Sequence, residues 1–311
     1  MKKIILALLC LIFINTTAKS QAPAGTDTLW RKGSIFAFNF NQVNFSNWAG
    51  GGENSISLSA LGSMYANYKS GRIAWDNNLE LGYGFLKQGD LQLRKNEDKI
   101  NLTTKIGYDA TNKAKWYYTA QFDFKSQFTP GYTYIDSNDT KVEISKFAAP
   151  AYMLFSLGMD YKPNDNFSVF LSPLTLKLTI VNEKKYTEFA PAYGVEQGKT
   201  SRTELGSYLN VKFQKEILTN VKLITKVDLF SNYKDNPDHI DVNWDLLLAM
   251  KVNKAITVSF FTQVIYDHDI EIPLYEGSGR DKVQVGVGPR TQFKQSFGIG
   301  LTYKLEGYSV R

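Results

Sequence analysis

The chain is sparing with residues that do acid–base or nucleophilic chemistry. It holds two histidines, His239 and His268, and one cysteine, Cys10. Asp267-His268-Asp269 sets a histidine between two carboxylates, the residue types a hydrolase uses to activate water. Neighbours along a strand point to opposite faces, so the run does not assemble a dyad unaided. No Ser–His–Asn arrangement stands out. Gly50-Gly51-Gly52 follows Trp48 but lacks a lysine and a helix after it, so it reads as a flexible turn and not a phosphate cradle. Asp98, Asp136, Asn138, Asp139, Asp235, Asn236 and Asp238 are oxygen donors without calcium-loop spacing and read as solvated turn residues. No catalytic, metal or cofactor-binding residue is assigned, no cofactor is expected, and the chain is not expected to be an enzyme.

The chemistry that remains is charge arranged along alternating segments. In 55–69 one phase reads Ile56, Leu58, Ala60, Gly62, Met64, Ala66, Tyr68, and the other Ser55, Ser57, Ser59, Leu61, Ser63, Tyr65, Asn67. A period of two puts these sets on opposite faces of a strand. The polar phases of all such segments carry Arg72, Lys105, Lys125, Lys177, Arg202, Lys212, Lys222, Lys226, Lys251, Lys294 and Lys304. Asp76, Glu80, Asp123, Asp160, Glu204, Asp228, Asp241 and Asp245 stand against them, with Asn78, Gln121, Tyr208, Asn243 and Gln263 between. If the apolar phase faces lipid, this set lines a lumen, either as a water-filled passage for small polar solutes or as a plug of ion pairs.

The elements that position these charges are about twelve strands. They fall near 33–46, 55–69, 72–85, 100–108, 116–128, 149–162, 166–181, 201–214, 219–231, 239–253, 255–267 and 291–304. In 166–181 the phase slips near Pro173, which suggests a bulge. Connections alternate in length. Lys69–Gly71, Asp109–Ala114, Lys162–Asn166, Gln214–Leu218 and Asn253-Lys254 are short, and those between them are longer, most of all 129–147, 182–200 and 268–290. Short turns on one side and long loops on the other is the build of an outer-membrane barrel. A soluble sandwich has no reason to sort its loops this way. Aromatic residues gather beside the short turns on the apolar phase: Tyr68, Trp75, Tyr108, Trp116, Tyr161, Phe167, Phe213 and Tyr303. Rings there predict an interfacial girdle on the periplasmic side.

The expected fold is therefore all-β, a single antiparallel transmembrane barrel of about twelve strands in meander order, with ten or fourteen as alternatives. The domain reading is a cleaved signal peptide at 1–20, a short periplasmic segment at 21–32, the barrel at 33–305 and a periplasmic tail at 306–311. Lys2 and Lys3 precede an apolar run from Ile4 to Ile14, too short to span a bilayer. Ala18 and Ser20 then supply small residues before a cut at Gln21. Cys10 lies inside the apolar run, so the mature chain has no thiol. The net charge of +6 falls when Lys2, Lys3 and Lys19 leave, with 33 bases then facing 30 acids. No basic block tracks phosphates, and nucleic acid is excluded as a partner. The expected partners are outer-membrane lipid, the barrel-insertion machinery during assembly, and small polar solutes. The alternative function is a structural or interaction barrel with a closed lumen whose loops bind partners or glycans. A rim hydrolase using His268 ranks behind both.

Several motifs recur in known sequences. They are Asn47-Trp48-Ala49-Gly50-Gly51-Gly52-Glu53-Asn54, Trp75-Asp76-Asn77, Gly82-Tyr83-Gly84, Gln127-Phe128-Thr129-Pro130-Gly131-Tyr132, Gly158-Met159-Asp160-Tyr161 and Leu171-Ser172-Pro173-Leu174-Thr175. In combination they resemble a Bacteroidetes-type outer-membrane family known as domain-of-unknown-function family 3078, most densely over 47–181. The resemblance implies a Gram-negative outer-membrane location and a barrel architecture. It carries no substrate and no catalytic residue.

Overall fold

A computed structural model describes residues 29–46, 53–134, 141–276 and 283–309. The predicted signal peptide lies outside the described residues, as do Asp136, Asn138 and Asp139. Twelve strands form one closed antiparallel barrel. The first five run in chain order: β1 (Trp30–Val43), β2 (Ser55–Ser70), β3 (Ile73–Gln88), β4 (Arg94–Asp109) and β5 (Trp116–Ser126). A small hairpin, β6 (Gly131–Tyr134) and β7 (Lys141–Ser145), interrupts before β8 (Ala151–Asn164) and β9 (Phe167–Ile180). β10 (Ser201–Leu218), β11 (Val221–Asn232), β12 (Asp241–Lys251) and β13 (Ile256–Tyr266) continue the wall. A second hairpin, β14 (Ile272–Glu276) and β15 (Val283–Gly288), precedes β16 (Gln292–Ser309). β16 closes on β1 from Trp30↔Ser309 to Asn39↔Gly300. Each barrel strand pairs with its neighbours in sequence among the barrel strands, which is the expected meander.

The strands are eleven to eighteen residues long, above the roughly 9–11 that a tilted strand needs to cross a bilayer. Several exceed the sequence expectation. β4 starts at Arg94 because a register shift at Gly84/Phe85 lets pairing continue upward. β1 takes in Trp30 to Lys32, and β16 runs on to Ser309. Strand pairing therefore claims residues that the sequence left in terminal segments, since a ladder partner is invisible to local pattern.

Local chemistry sets the turns. Gly71, with φ +54°, makes the tight β2–β3 turn, and Asn220, with φ +64°, does so between β10 and β11. The slip expected near Pro173 is a pair of register shifts, at Leu157/Met159 against β8 and at Gly206/Tyr208 against β10. The backbones approach so closely there that a Cβ on Gly158 would lie 2.0 Å from the Leu171 carbonyl oxygen. The Ser172 hydroxyl donates to the Leu157 and Leu174 carbonyls and stitches the irregularity.

The packed interior lies inside the barrel against one wall. Phe170, Tyr208 and Phe230 are buried together, with Leu154 beside them. A second apolar cluster, Ala149, Val181 and Val195 with Tyr186 and Tyr193, sits at the long-loop end. The outer surface is an apolar band in which Phe38, Trp75, Ile106, Phe155, Leu176 and Phe297 are exposed. Closure satisfies the backbone between strands, and the apolar exterior matches hydrocarbon. Among the described residues no helix is long and apolar enough to cross a membrane; the strands do so. The chain is an integral outer-membrane β-barrel.

Candidate functional site: the charged lumen

Period-two geometry and closure turn the polar phases inward. In β5, Tyr117, Thr119, Gln121 and Asp123 are buried while Trp116 and Tyr118 are exposed outside. The inward charges meet in three groups. Toward the short turns, Lys105 Nζ lies 3.2 Å from Asp160. Lys162 lies 3.3 Å from the same carboxylate and 2.5 Å from Asp76. Lys105 also stands 4.8 Å from the centre of the Phe170 ring. Asp160 is fully buried, and two cations share its charge, which is how a carboxylate survives there.

At mid-height Asp228 is the hub. Lys226 approaches to 3.1 Å and Lys125 to 3.9 Å. Tyr208 Oη donates at 2.5 Å and Asn210 Nδ2 at 2.8 Å. Asp123 accepts from Gln121 at 2.5 Å and from Thr103 at 2.6 Å. Asp245 accepts from Gln263 at 2.9 Å, and Glu80 pairs with Lys99 at 3.5 Å.

Toward the long loops Lys177 binds three carboxylates: Asp241 at 2.6 Å, Asp267 at 3.3 Å and Glu204 at 3.5 Å. Arg202 binds Asp269 at 2.6 Å, Glu204 at 3.3 Å and Asp235 at 3.7 Å. Both partners of His268 in the Asp-His-Asp run are thus engaged by bases. His268 instead meets Tyr266 Oη at 3.2 Å and stacks on His239 with ring centres 3.7 Å apart. Neither carboxylate is placed to orient the imidazole, so the rim-hydrolase arrangement is not assembled. Among the described residues no three ligating side chains gather as a metal site. Asp98 accepts from Lys95, Thr129 and the Phe128 and Thr129 amides, closing a turn.

A cap closes over the long-loop end. Residues 182–200 include a short turn of helix at Lys184–Tyr186. Lys185 donates to Glu143 on β7 at 2.8 Å, Tyr186 Oη donates to the same carboxylate, and Lys146 pairs with Glu183. Tyr193 Oη donates to the Ile144 carbonyl at 2.6 Å. On the other side of the cap Arg202 donates to the Gly194 carbonyl at 3.2 Å.

Among the described side chains, which do not include that of Lys304, one sequence candidate falls elsewhere. Arg72 is not on the lumen wall: it sits in the β2–β3 turn, donates to the Asp109 carbonyl at 2.5 Å and packs 4.5 Å from the Tyr108 ring. Alternation alone carries β3 one residue too far, because Arg72 belongs to the turn and the strand begins at Ile73. The inward residues that the sequence reading does not include are Glu97, Lys99 and Lys162, at strand ends, and two aromatics, Phe170 and Phe230. The signal of these two was available, since each is an aromatic on a polar phase, between Ser168 and Ser172 and between Asp228 and Asn232. Of the aromatic ring, Trp116 stacks on Tyr161 with centres 4.5 Å apart, and Phe167 pairs in register with Phe213. Tyr68 and Trp75 both contact Trp30, at 5.1 and 5.7 Å. Trp30 precedes the expected first strand at 33–46, and only the pairing of β1 brings it into this group. Tyr303 pairs with Phe36 through the backbone, and its side chain lies outside the described residues.

Comparison with solved structures returns outer-membrane barrels at low identity. The COG4313 outer membrane channel from Pseudomonas putida F1 is 12% identical, with a TM-score of 0.38, over 92% of this chain and 99% of that one. The translocator domain of the autotransporter NalP from Neisseria meningitidis is 13% identical, with a TM-score of 0.37, over 97% of each. The NanC porin is 8% identical, with a TM-score of 0.37, over 88% of this chain and 100% of that one. No curated protein matches the chain. Residues 40–132, from the upper end of β1 into β6, match the family described as Protein of unknown function (DUF3078), the same family its motifs resemble.

Proposed function

We propose that the barrel is a narrow passage for small polar solutes, with water running along one side of the lumen. The observation that carries this reading is an asymmetry of the inner wall. On the strands from β5 to β11 the inward carboxylates are packed away, Asp160 being 0%, Glu204 3% and Asp228 9% exposed. On the opposite side Glu80 is 41% and Lys294 43% exposed, though both face inward. Part of that side carries small or short polar residues. Ala37 and Asn39 on β1 face Leu61 and Ser59 on β2, and on the other flank Thr302 and Gly300 on β16. Gly300 and Gly298 in turn face Thr257 and Ser259 on β13. Small side chains leave space, and exposed charge within a barrel means water reaches it. The aromatic ring marks the periplasmic interface in this reading, and the cap of 182–200 lies over the outer mouth.

A second reading has its own observation. Lys294 on β16 reaches Glu97 on β4 at 2.8 Å, four strands round the barrel, and so bridges the open side. If that bridge holds permanently, the barrel is a closed scaffold whose loops bind partners or glycans. Single-channel recording in planar bilayers separates the two. The passage reading expects small discrete conductance steps in the wild type and larger steps in Lys294→Ala, which removes the bridge. A silent wild type together with a silent Lys294→Ala favours the closed scaffold.

A further inference from the structure

The lumen is electrically lopsided along its axis. Near the long loops, among the described residues, five carboxylates (Glu204, Asp235, Asp241, Asp267 and Asp269) pair with two bases, Lys177 and Arg202. Near the short turns the balance reverses, and one lysine there is left without a carboxylate.

That residue is Lys212 on β10. Its cross-strand partner on β11 is Lys226, and on β9 it faces Ser168. Its side chain is inward, because Asn210, one step along the same face, donates to Asp228 inside the barrel. Like charges directly opposed across a ladder repel, which a sheet tolerates only when something offsets the charge. Lys226 has Asp228, but that carboxylate already receives Lys125, Tyr208 and Asn210. Among the described residues no carboxylate pairs with Lys212. The charges that face it are Lys226 and Lys105 of like sign and Glu80 and Asp76 of opposite sign. Both acids are engaged, Glu80 by Lys99 and Asp76 by Lys162. Lys105 is held by Asp160. Lys212 is nonetheless exposed, so there is room beside it.

We propose that Lys212, with Lys226 and Lys105 around it, forms an anion-binding site in the short-turn half of the lumen, which accepts a small phosphate or carboxylate solute. The ammonium groups supply charge-assisted donors, and the anion relieves the Lys212–Lys226 repulsion. Carboxylates outnumber bases in the ion pairs around Lys177 and Arg202, so the anion rests in the short-turn half of the lumen. This deepens the passage reading by naming its solute class, and rests on that reading only for the ion's onward movement.

Two measurements on the folded full-length barrel separate the site from the passage. The first is acetylation of lysines by a water-soluble amine reagent, read by mass spectrometry, with inorganic phosphate as the probe. Millimolar phosphate is expected to slow Lys212 acetylation several-fold against chloride at equal ionic strength, while Lys254 in the β12–β13 turn is unaffected. The second is the reversal potential across a planar bilayer in a potassium chloride gradient. An anion preference is expected, retained in Lys212→Arg, reduced in Lys212→Gln and inverted in Lys212→Glu. Lys212→Gln removes a repulsion, so it is expected to fold, and heat-modifiable gel migration verifies this. Protection without conductance upholds the site and overturns the passage. Conductance with no protection, and selectivity unmoved in Lys212→Glu, upholds the passage and overturns the site.

Discussion

Lys125 on β5 lies 3.9 Å from Asp228 on β11, four strands away round the barrel, so the pair spans the lumen. Asp228 is also the acceptor for Tyr208 and Asn210 and the partner of Lys226. One carboxylate thereby ties together β5, β10 and β11. Removing it leaves two lysines facing each other in a packed interior. Asp228→Ala is expected to destabilise the barrel by about 3–5 kcal/mol, the usual result of orphaning buried charge. Asp228→Asn keeps the hydrogen bonds from Tyr208 and Asn210 and is expected to lose less. Urea unfolding of liposome-reconstituted protein measures both, and equal losses would show that hydrogen bonding contributes nothing beyond the charge.

Neighbouring residues on one strand should answer oppositely to charge. Ser63 faces Ile35 and Glu80 across its ladders, and Met64 faces Ser34 and Leu79. Arg at a lipid-facing position near the bilayer midplane costs about 2–4 kcal/mol, because hydrocarbon cannot solvate the guanidinium. Met64→Arg is therefore expected to deplete the heat-modifiable folded band far more than Ser63→Arg, where Glu80 and lumen water receive the charge. Leu58→Arg against Ser59→Arg repeats the comparison at another depth. Equal depletion in both pairs would mean that the two phases do not separate lipid from lumen.

The cap should be acid-labile. Hydrogen bonds from Lys185 and then Tyr186 hold the Glu143 carboxyl below the ordinary glutamate value of 4.5. The bond from Lys146 does the same for Glu183. A carboxyl lowered in the folded state stabilises that state above its unfolded value and ceases to do so as pH falls through the folded value. Residues 182–200 are thus expected to stay docked on β7 at neutral pH and to loosen below the normal glutamate range. Tyr186, pushed up to about 12 by burial and then by its bond to Glu143, keeps its proton throughout that range. Spin labels on Val142→Cys and Glu188→Cys should give a narrow distance distribution at neutral pH and a broad one in acid. A distribution that does not change with pH would place the cap's stability in its apolar cluster alone.

We propose that the mature chain starts at Gln21 with no acyl anchor, because the apolar run from Ile4 to Ile14 is short and Leu9, not a small residue, precedes Cys10. Intact-mass measurement of membrane-extracted protein decides it. A lipid on Cys10, or a retained Lys2, would contradict it.

Much of the architecture was present in the sequence because its determinants are local. The alternation in 55–69 specifies β2 and its two faces, since side chains on a strand repeat every second residue. Short turns at Lys69–Gly71 and Asn253-Lys254 specify antiparallel neighbours, and twelve such segments with sorted loops specify a closed barrel. Pro173 announced the irregularity of β9 because it cannot donate to a ladder. What the sequence could not show was which inward charges meet. Lys125 finds Asp228, and Lys294 finds Glu97, only because tilt and stagger bring strands four places apart to matching heights on facing walls. Arg72 lies off the lumen because the β2–β3 turn ends one residue later than alternation suggests. The division of the interior into a packed wall around Phe170 and Phe230 and an open wall of Ser59, Gly298 and Gly300 also depends on closure. Each strand carries its own alternation, but only the completed barrel decides which strands stand opposite one another, and therefore where side chains collide and where water is left a path.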